Sequence, residues 1–292
     1  MEERTMQTRV ARVFKIFTKG SDLFVIGGYI FSIIYAALII IPLYFIIVSA
    51  FKNNSQIILT PLALPSRLDF SKFFEAQKNV NVLRAGLISI VITTGAELLT
   101  LLLAFPAAYA VARIQTRLST LVETIFSLGF LIPGLAILMP IYMMTAKAGL
   151  LYHPIALVIL YPAFNLPLTM ILLSGFMRKL PRELEESAVM DGGNVLQIIY
   201  YIFFPICMPG IITVLVLNFI NIWNEYLFAL ILMDSNNRTI QLALALLRAN
   251  QRSIDYGLIA AGVLISMIPV YIVFVFFQER IMSGMLAGAI KE

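Results

Sequence analysis

Five stretches of this chain contain no Asp, Glu, Lys or Arg: Leu23 to Phe51, Thr124 to Ala146, Ala148 to Met177, Gly192 to Asn224 and Tyr256 to Gln278. A sixth, Ala85 to Ala112, carries a single charge, Glu97. A helix crosses the hydrocarbon core of a bilayer with about 20 mainly apolar residues, so every run is long enough. In lipid the backbone must satisfy its own polar groups, which selects helices over open strands. Charged residues make up 13% of the 292, about half the fraction of a soluble domain. The expectation is an all-α integral membrane protein with six transmembrane helices, at 25–49, 85–112, 122–144, 154–177, 207–232 and 257–278. Around them lie an N-terminal segment (1–22), a first helix within 23–51, an outer loop (52–84), a five-helix core (85–278) and a C-terminal tail (279–292).

The basic start (Arg4, Arg9, Arg12, Lys15, Lys19) followed by an apolar run also fits a cleaved leader. A leader's apolar region is about 7–15 residues, and this run is longer, so a retained span is expected. With an even number of spans both ends share one side. That side holds twelve Lys/Arg against nine on the other, a small bias toward cytoplasmic termini. The net charge of +5 is spread over membrane flanks and forms no nucleic-acid stripe. Cys207 has no second cysteine to pair with. His153, beside Pro154, lacks the partners a metal would need and reads as an interfacial residue. No phosphate-cradling G-x-x-x-x-G-K-[ST] occurs, nor a G-x-S-x-G or HExxH. Energised work would therefore draw on an ion gradient or on a partner's ATPase.

One segment breaks the apolar pattern: "MRKLPRELEESAVMDGGNVLQIIYYIFFPICMP", 177–209. Pro181 suits the first turn of a helix, and Glu183, Glu185 and Glu186 favour its positive N-terminal end. Asp191-Gly192-Gly193 ends that helix, glycine accepting the left-handed conformation, and Asn194 can cap a second one. Leu184 and Ala188, four apart, share a face. The result is an elbow outside the bilayer with an apolar knob and an acidic rim. It serves either as a plug for a groove on another protein or as a plain connector.

The same segment resembles the EAA motif of ABC-importer permeases, E-A-A-x-x-D-G-x(9)-I-x-L-P. Here it reads Glu186-Ser187-Ala188-Val189-Met190-Asp191-Gly192, then Ile202-Phe203-Phe204-Pro205, with Ser187 and Phe204 as departures. "AAYAVARI" (107–114), "NIWNEYLFALIL" (221–232) and "QERIMSGMLAGAIKE" (278–292) extend the likeness to maltose-type carbohydrate permeases, and to the smaller, six-span partner of the pair. The resemblance covers nearly the whole chain and is weakest over 52–84.

It implies a type I ABC importer permease fold in a prokaryotic cell membrane, with both termini cytoplasmic and no catalysis in this chain. The implied partners are a second homologous permease, an ABC ATPase dimer carrying ATP and Mg, an extracytoplasmic binding protein, a carbohydrate and membrane lipid, without nucleic acid. The elbow within 181–205 becomes the coupling helix, with Leu184, Glu185, Glu186, Ser187, Ala188, Asp191 and Gly192 facing the ATPase. A flexible tail bearing Ser283, Gly284 and Gly288 would reach the ATPase dimer, and Asn236, Asn237 and Arg238 would touch the binding protein. Asn218, Asn221 and Glu225 stand at i, i+3, i+7 on one face of the fifth span. With Trp223, Asn224 and nearby Tyr226 they could bind sugar hydroxyls and ring faces, or glue helices together. Glu97 either lines the path or pairs with a neighbour. The alternative is an ion-coupled carrier of a small polar solute. That would favour duplicated halves and several intramembrane acids, whereas Glu97 and Glu225 are the two here.

Overall fold

The computed structural model describes the backbone of residues 2–114, 116–249 and 254–289, and the side chains of 25–114, 116–248 and 254–278. These residues form helices and turns, with no strand among them. In chain order the helices are α1 (Glu2–Ser49), α2 (Asn54–Leu59), α3 (Ser71–Val80), α4 (Val82–Arg113), α5 (Arg117–Gly129) and α6 (Leu138–Lys147). They continue with α7 (Ile155–Arg178), α8 (Glu183–Met190), α9 (Val195–Ile206), α10 (Met208–Trp223), α11 (Leu227–Leu232), α12 (Ile240–Ala249) and α13 (Tyr256–Ala289).

Four of the expected spans are single helices long and apolar enough to cross a membrane: Val25–Ser49 of α1, α4, α7 and Tyr256–Gln278 of α13. The third expected span (122–144) is not one rod. It bends by 91° between α5 and Gly134–Lys147, where a short 3-10 turn leads into α6. Pro133 lacks the N–H that would continue the ladder, and the chain is extended there, with φ −69° and ψ 127°. The fifth expected span (207–232) also differs. Its helix runs only from Met208 to Trp223, joins α9 at 77°, and breaks again before Leu227. Pro209, second in α10, has no N–H to bond backwards across Cys207.

The bundle is built on α4 packed along α7, with α10 and α13 closing round them. Two apolar clusters stack within it. One, at the elbow end, joins Phe105, Tyr109, Met177, Phe203 and Cys207. The other joins Ile92, Leu157, Tyr161, Ile222, Phe228 and Leu232. Between membrane helices apolar contact alone gives little preference over lipid, so packing and interhelical hydrogen bonds carry the association. Helix α1 stands apart. The most apolar part of its span is wholly unburied, and α1 meets α13 through Ile46, Ala50, Ala260 and Leu264 near its end.

The outer loop 52–84 folds more than its sequence suggests. Asn53 caps α2 in a capping box with Gln56. Buried Lys52 donates from Nζ to the carbonyls of Thr60 and Pro61 at 2.9 and 3.2 Å. Asn54 donates to the Ile254 carbonyl at 2.6 Å and accepts from the Tyr256 amide at 2.9 Å. Lys72 pairs with Asp255 at 2.7 Å. Burial pulls the Lys72 pKa down, but hydrogen bonds to Asp255 and Glu75 outweigh it and leave it raised. The loop before α4 and the loop before α13 are thereby tied into one surface.

Candidate functional site

The elbow is a built turn. Helix α8 begins at Glu183, two residues after Pro181, because the Arg182 carbonyl takes the first amide bonds from Glu185 and Glu186. At its other end the Gly193 amide donates to the Ala188 carbonyl at 2.8 Å and the Gly192 amide to the Val189 carbonyl at 3.0 Å. This pair is a Schellman motif. Gly192 has φ +81°, where a side chain is strained. A Cβ on Gly193 would stand 2.9 Å from the Ala188 carbonyl oxygen. Asn194 then caps α9, accepting from the Gln197 amide at 2.9 Å, while Gln197 accepts from the Asn194 amide at 2.8 Å.

The apolar knob is not where the spacing put it. Leu184 and Ala188 are half-buried, and Ala188 packs on the chain's own elbow-end cluster. The exposed apolar side chains are Val189, Met190 (86% exposed), Val195, Leu196, Tyr200 and Tyr201 (78%), flanking the turn on both sides. Glu186, Ser187, Asp191 and Gly192 are exposed beside them. Continuing α9 as a π-helix over Ile198–Phe203 turns Ile198, Ile199 and Phe203 inward and leaves Tyr201 outside.

Adjacent glutamates divide. Glu186 faces out, whereas Glu185 turns into the bundle and meets Arg113, the last residue of α4. The Arg113 Nε and Glu185 Oε1 are 2.5 Å apart as an ion pair that lacks hydrogen-bond alignment, with side chains 8% and 20% exposed. The Tyr109 hydroxyl donates to Glu185 Oε2 at 3.3 Å. Arg113 also donates to the Leu180 carbonyl at 3.0 Å and lies 5.0 Å over the Phe203 ring. Sequence reasoning missed Tyr109 and Arg113. The available cue was that Arg113 is the first Lys or Arg after a long span; its partners lie beyond three further helices of the chain.

Within the membrane a polar line links α7 and α10. Asn218, 1% exposed, donates to Thr169 Oγ1 at 3.0 Å. Asn221 donates to Asn165 Oδ1 at 2.9 Å, and Asn165 donates to the Tyr161 carbonyl at 2.8 Å. Each such interhelical bond is worth roughly 0.6–2 kcal/mol. Glu225 Oε2 accepts from the Tyr161 hydroxyl at 2.7 Å, and its carboxylate also takes the Phe228 and Ala229 amides at 2.8 and 3.2 Å. Glu225 therefore caps α11, which explains the break after Trp223. A cavity of about 150 Å³ opens here, lined by Tyr161, Phe164, Asn165, Asn221, Glu225 and Phe228 among others. Asn165, Tyr161, Phe164 and Phe228 were not singled out from sequence. A lone Asn between Pro162 and Pro167 in an uncharged run was the available cue.

The remaining expectations part company. Trp223 offers no ring face to a ligand: it is 2% exposed, stacks on Phe219 and donates to the Ser266 carbonyl at 3.2 Å. Asn224 is exposed, donates to the Ile220 carbonyl and accepts from Gln241. Glu97 sits half-buried at mid-helix in α4, with Oε1 enclosed and no hydrogen-bond partner among the described residues. The loop tip is partly folded back: Asp234 accepts from the Asn236 and Asn237 amides, Asn237 donates to the Tyr152 carbonyl, and Arg238 to that of Ser235. Asn236 and Arg238 line a cleft of about 170 Å³ with Lys78, Asn79, Asn81 and Arg84. His153 Nδ1 accepts the Ile155 amide at 3.2 Å, a local turn role. Where a flexible tail was expected, α13 continues as helix through Ala289. The side chains of Ser283, Gly284 and Gly288 lie outside the described residues.

A bundle of membrane-length helices with a protruding elbow and an internal polar line suits a membrane permease subunit. Residues 100–286 match the family described as binding-protein-dependent transport system inner membrane component, and the chain belongs to that family. Similar proteins include the diacetylchitobiose uptake system permease NgcG of Streptomyces coelicolor, 28% identical over 89% of this chain and 86% of the relative. The melibiose/raffinose/stachyose import permease MelC of Bacillus subtilis is 31% identical over 86% and 91%. The fold matches a chain of a bacterial ABC transporter that imports the acidic polysaccharide alginate, with a TM-score of 0.76, 21% identity, and coverage of 88% of this chain and 96% of that one. The likeness to importer permeases read from the elbow motif is borne out, and the ion-coupled alternative gains no support.

Proposed function

We propose that this chain forms half of the translocation path of an ATP-driven importer of a carbohydrate, oligosaccharide in class, at a prokaryotic cell membrane with both termini cytoplasmic. The observation that carries this reading is the elbow: a turn fixed by four backbone and capping hydrogen bonds presents six unburied apolar side chains, Tyr200 among them, outside the membrane helices. Such a patch on a rigid mount suits a protein groove. Met190, Val189, Val195, Leu196 and Tyr201 enter a cleft of an ATPase subunit, and Glu186 and Asp191 meet basic residues at its rim. ATP and Mg are bound by that partner, and this chain supplies no catalytic group. The tail from Ser283 to Gly288 approaches the ATPase pair.

The relatives named for oligosaccharides support the cargo class. The cavity beside Glu225 suits it physically. Asn221, Asn165, Tyr161 and Glu225 offer hydroxyl partners, while Phe164 and Phe228 offer ring faces. A second, related permease supplies the other wall. On the opposite side the polar cleft with Lys78, Arg84 and Arg238 receives an extracytoplasmic binding protein. Closing the ATPases draws the elbows together and rocks the bundle between its two accessible states. Purification of the tagged chain followed by mass spectrometry tests the assembly, and should recover an ATPase, a second permease and a binding protein. Uptake into proteoliposomes driven by ATP, and not by a proton or sodium gradient, tests the energy source. Recovery of the chain alone, with gradient-driven uptake, would overturn the reading.

A further inference from the structure

Helix α9 packs Ile198, Ile199 and Phe203 into the elbow-end cluster, whereas no residue of α8 is fully buried, so α8 has few routes by which to push the bundle. One is the packing of Ala188 on the elbow-end cluster. The other is electrostatic and converges on one side chain. Arg113 touches the connector in three places: the Leu180 carbonyl before α8, the Glu185 carboxylate within α8, and the Phe203 ring in α9. Tyr109, one turn back on the same helix, adds its hydroxyl to Glu185 and its ring, edge to face at 4.9 Å, to Phe203. A guanidinium presents a planar fork of donors and a stackable face together, and here both are in use. A lysine ammonium can donate to the carbonyl and the carboxylate but has no planar face to stack on the Phe203 ring.

Helix α4 connects this point to the far side of the protein. It runs unbroken from Arg113 back to Val82, carrying Glu97 at its middle, and Ser89 near its far end accepts the Ile240 amide of α12 at 2.8 Å. We propose that Arg113, held by Tyr109, is the positioning residue that fastens both arms of the elbow to α4, so that elbow displacement moves this helix and with it the opposite end of the path. Glu185 is then an internal tether, distinct from outward-facing Glu186, which meets the ATPase. The inference rests on the reading of the elbow as the ATPase contact.

The test uses the complete complex in proteoliposomes, with sugar uptake and ATP hydrolysis measured in parallel. Arg113→Gln should lower uptake per ATP hydrolysed at least 10-fold while hydrolysis stays within about threefold of the unsubstituted complex. Arg113→Lys should fall between the two. With cysteines replacing Arg113 and Glu185, uptake per ATP should be low until a short bis-methanethiosulfonate bridges them, each thiolate displacing a methanesulfinate, and should then recover. A proportional fall of uptake and hydrolysis in Arg113→Gln overturns the proposal, as does unchanged uptake or a double-cysteine variant that bridging fails to rescue. If Arg113→Gln does not assemble, Glu185→Gln and Phe203→Leu are read by the same ratio. A failure of the underlying function is separate, because the unsubstituted complex would then show no ATP-driven uptake.

Discussion

The chain interrupts its helices at two places that invite comparison, the elbow at 191–194 and the break at 224–226. Both hold the chain with backbone amides at the break, given to neutral acceptors at the elbow and to a carboxylate at the second. At the elbow the backbone closes on itself through a Schellman motif and a capping box, and the apolar side chains on either side stay in the open. At the second break the carboxylate of Glu225 caps α11, and the flanking Trp223, Phe228 and Leu232 are buried. The first interruption thus leaves its apolar side chains facing outward, while the second holds the wall of an internal polar cavity. Under the proposed function, similar local chemistry serves docking in one case and shaping of a path in the other. The difference lies in where the apolar residues go.

The largest effect should come from breaking the elbow's backbone. Gly192→Val places a β-branched residue at φ +81°, where a non-glycine residue costs about 1–2 kcal/mol or more, and it should abolish uptake while membrane content of the protein is unchanged on immunoblots. Next is Met190→Asp, which puts a charge in the middle of the exposed patch. Uptake should fall at least ~10-fold, as expected for the centre of an interface, with a matching loss of ATPase on copurification. Glu186→Lys should act in the same direction through the acidic rim.

At the second interruption the expected effects are on stability and cargo handling. Glu225→Gln leaves one acceptor for the Phe228 amide but weakens the Tyr161 and Ala229 bonds, at about 1–3 kcal/mol, read as a lower unfolding temperature of the detergent-purified complex. The ATPase should still copurify, which separates the two regions. Asn194→Ala, removing one cap of the elbow, is the mildest, at about 1 kcal/mol, read as a partial reduction in uptake.

These contrasts also show what the sequence could and could not convey. Long runs with no charge, or with Glu97 alone in α4, locate α4, α7 and α13 because scarcity of charge is itself the physical requirement for spanning. The elbow was legible because Pro, Gly, Asn and three glutamates are local signals with local consequences. The bends were not, since an uncharged run looks the same whether it is straight or folded by 91° at Pro133. The break before Leu227 depends on Glu225 reaching two amides three and four residues ahead and a tyrosine on another helix. Trp223 beside two asparagines resembles a sugar platform on paper. In three dimensions its ring stacks on Phe219 and its N–H finds Ser266. Leu184 and Ala188 do lie toward one side of α8, but spacing alone could not say that this side faces the chain's own core. Arg113 escaped notice because its three partners are 67 or more positions away in the chain.

The account stands most directly on what the elbow touches. A cysteine replacing Met190, with buried Cys207 left in place, can be cross-linked in membranes containing the whole transporter, with and without ATP. The account predicts an adduct with a nucleotide-hydrolysing subunit whose yield changes when ATP is added. Uptake-competent membranes in which Met190→Cys captures lipid reagents or nothing, and never that subunit, would contradict it.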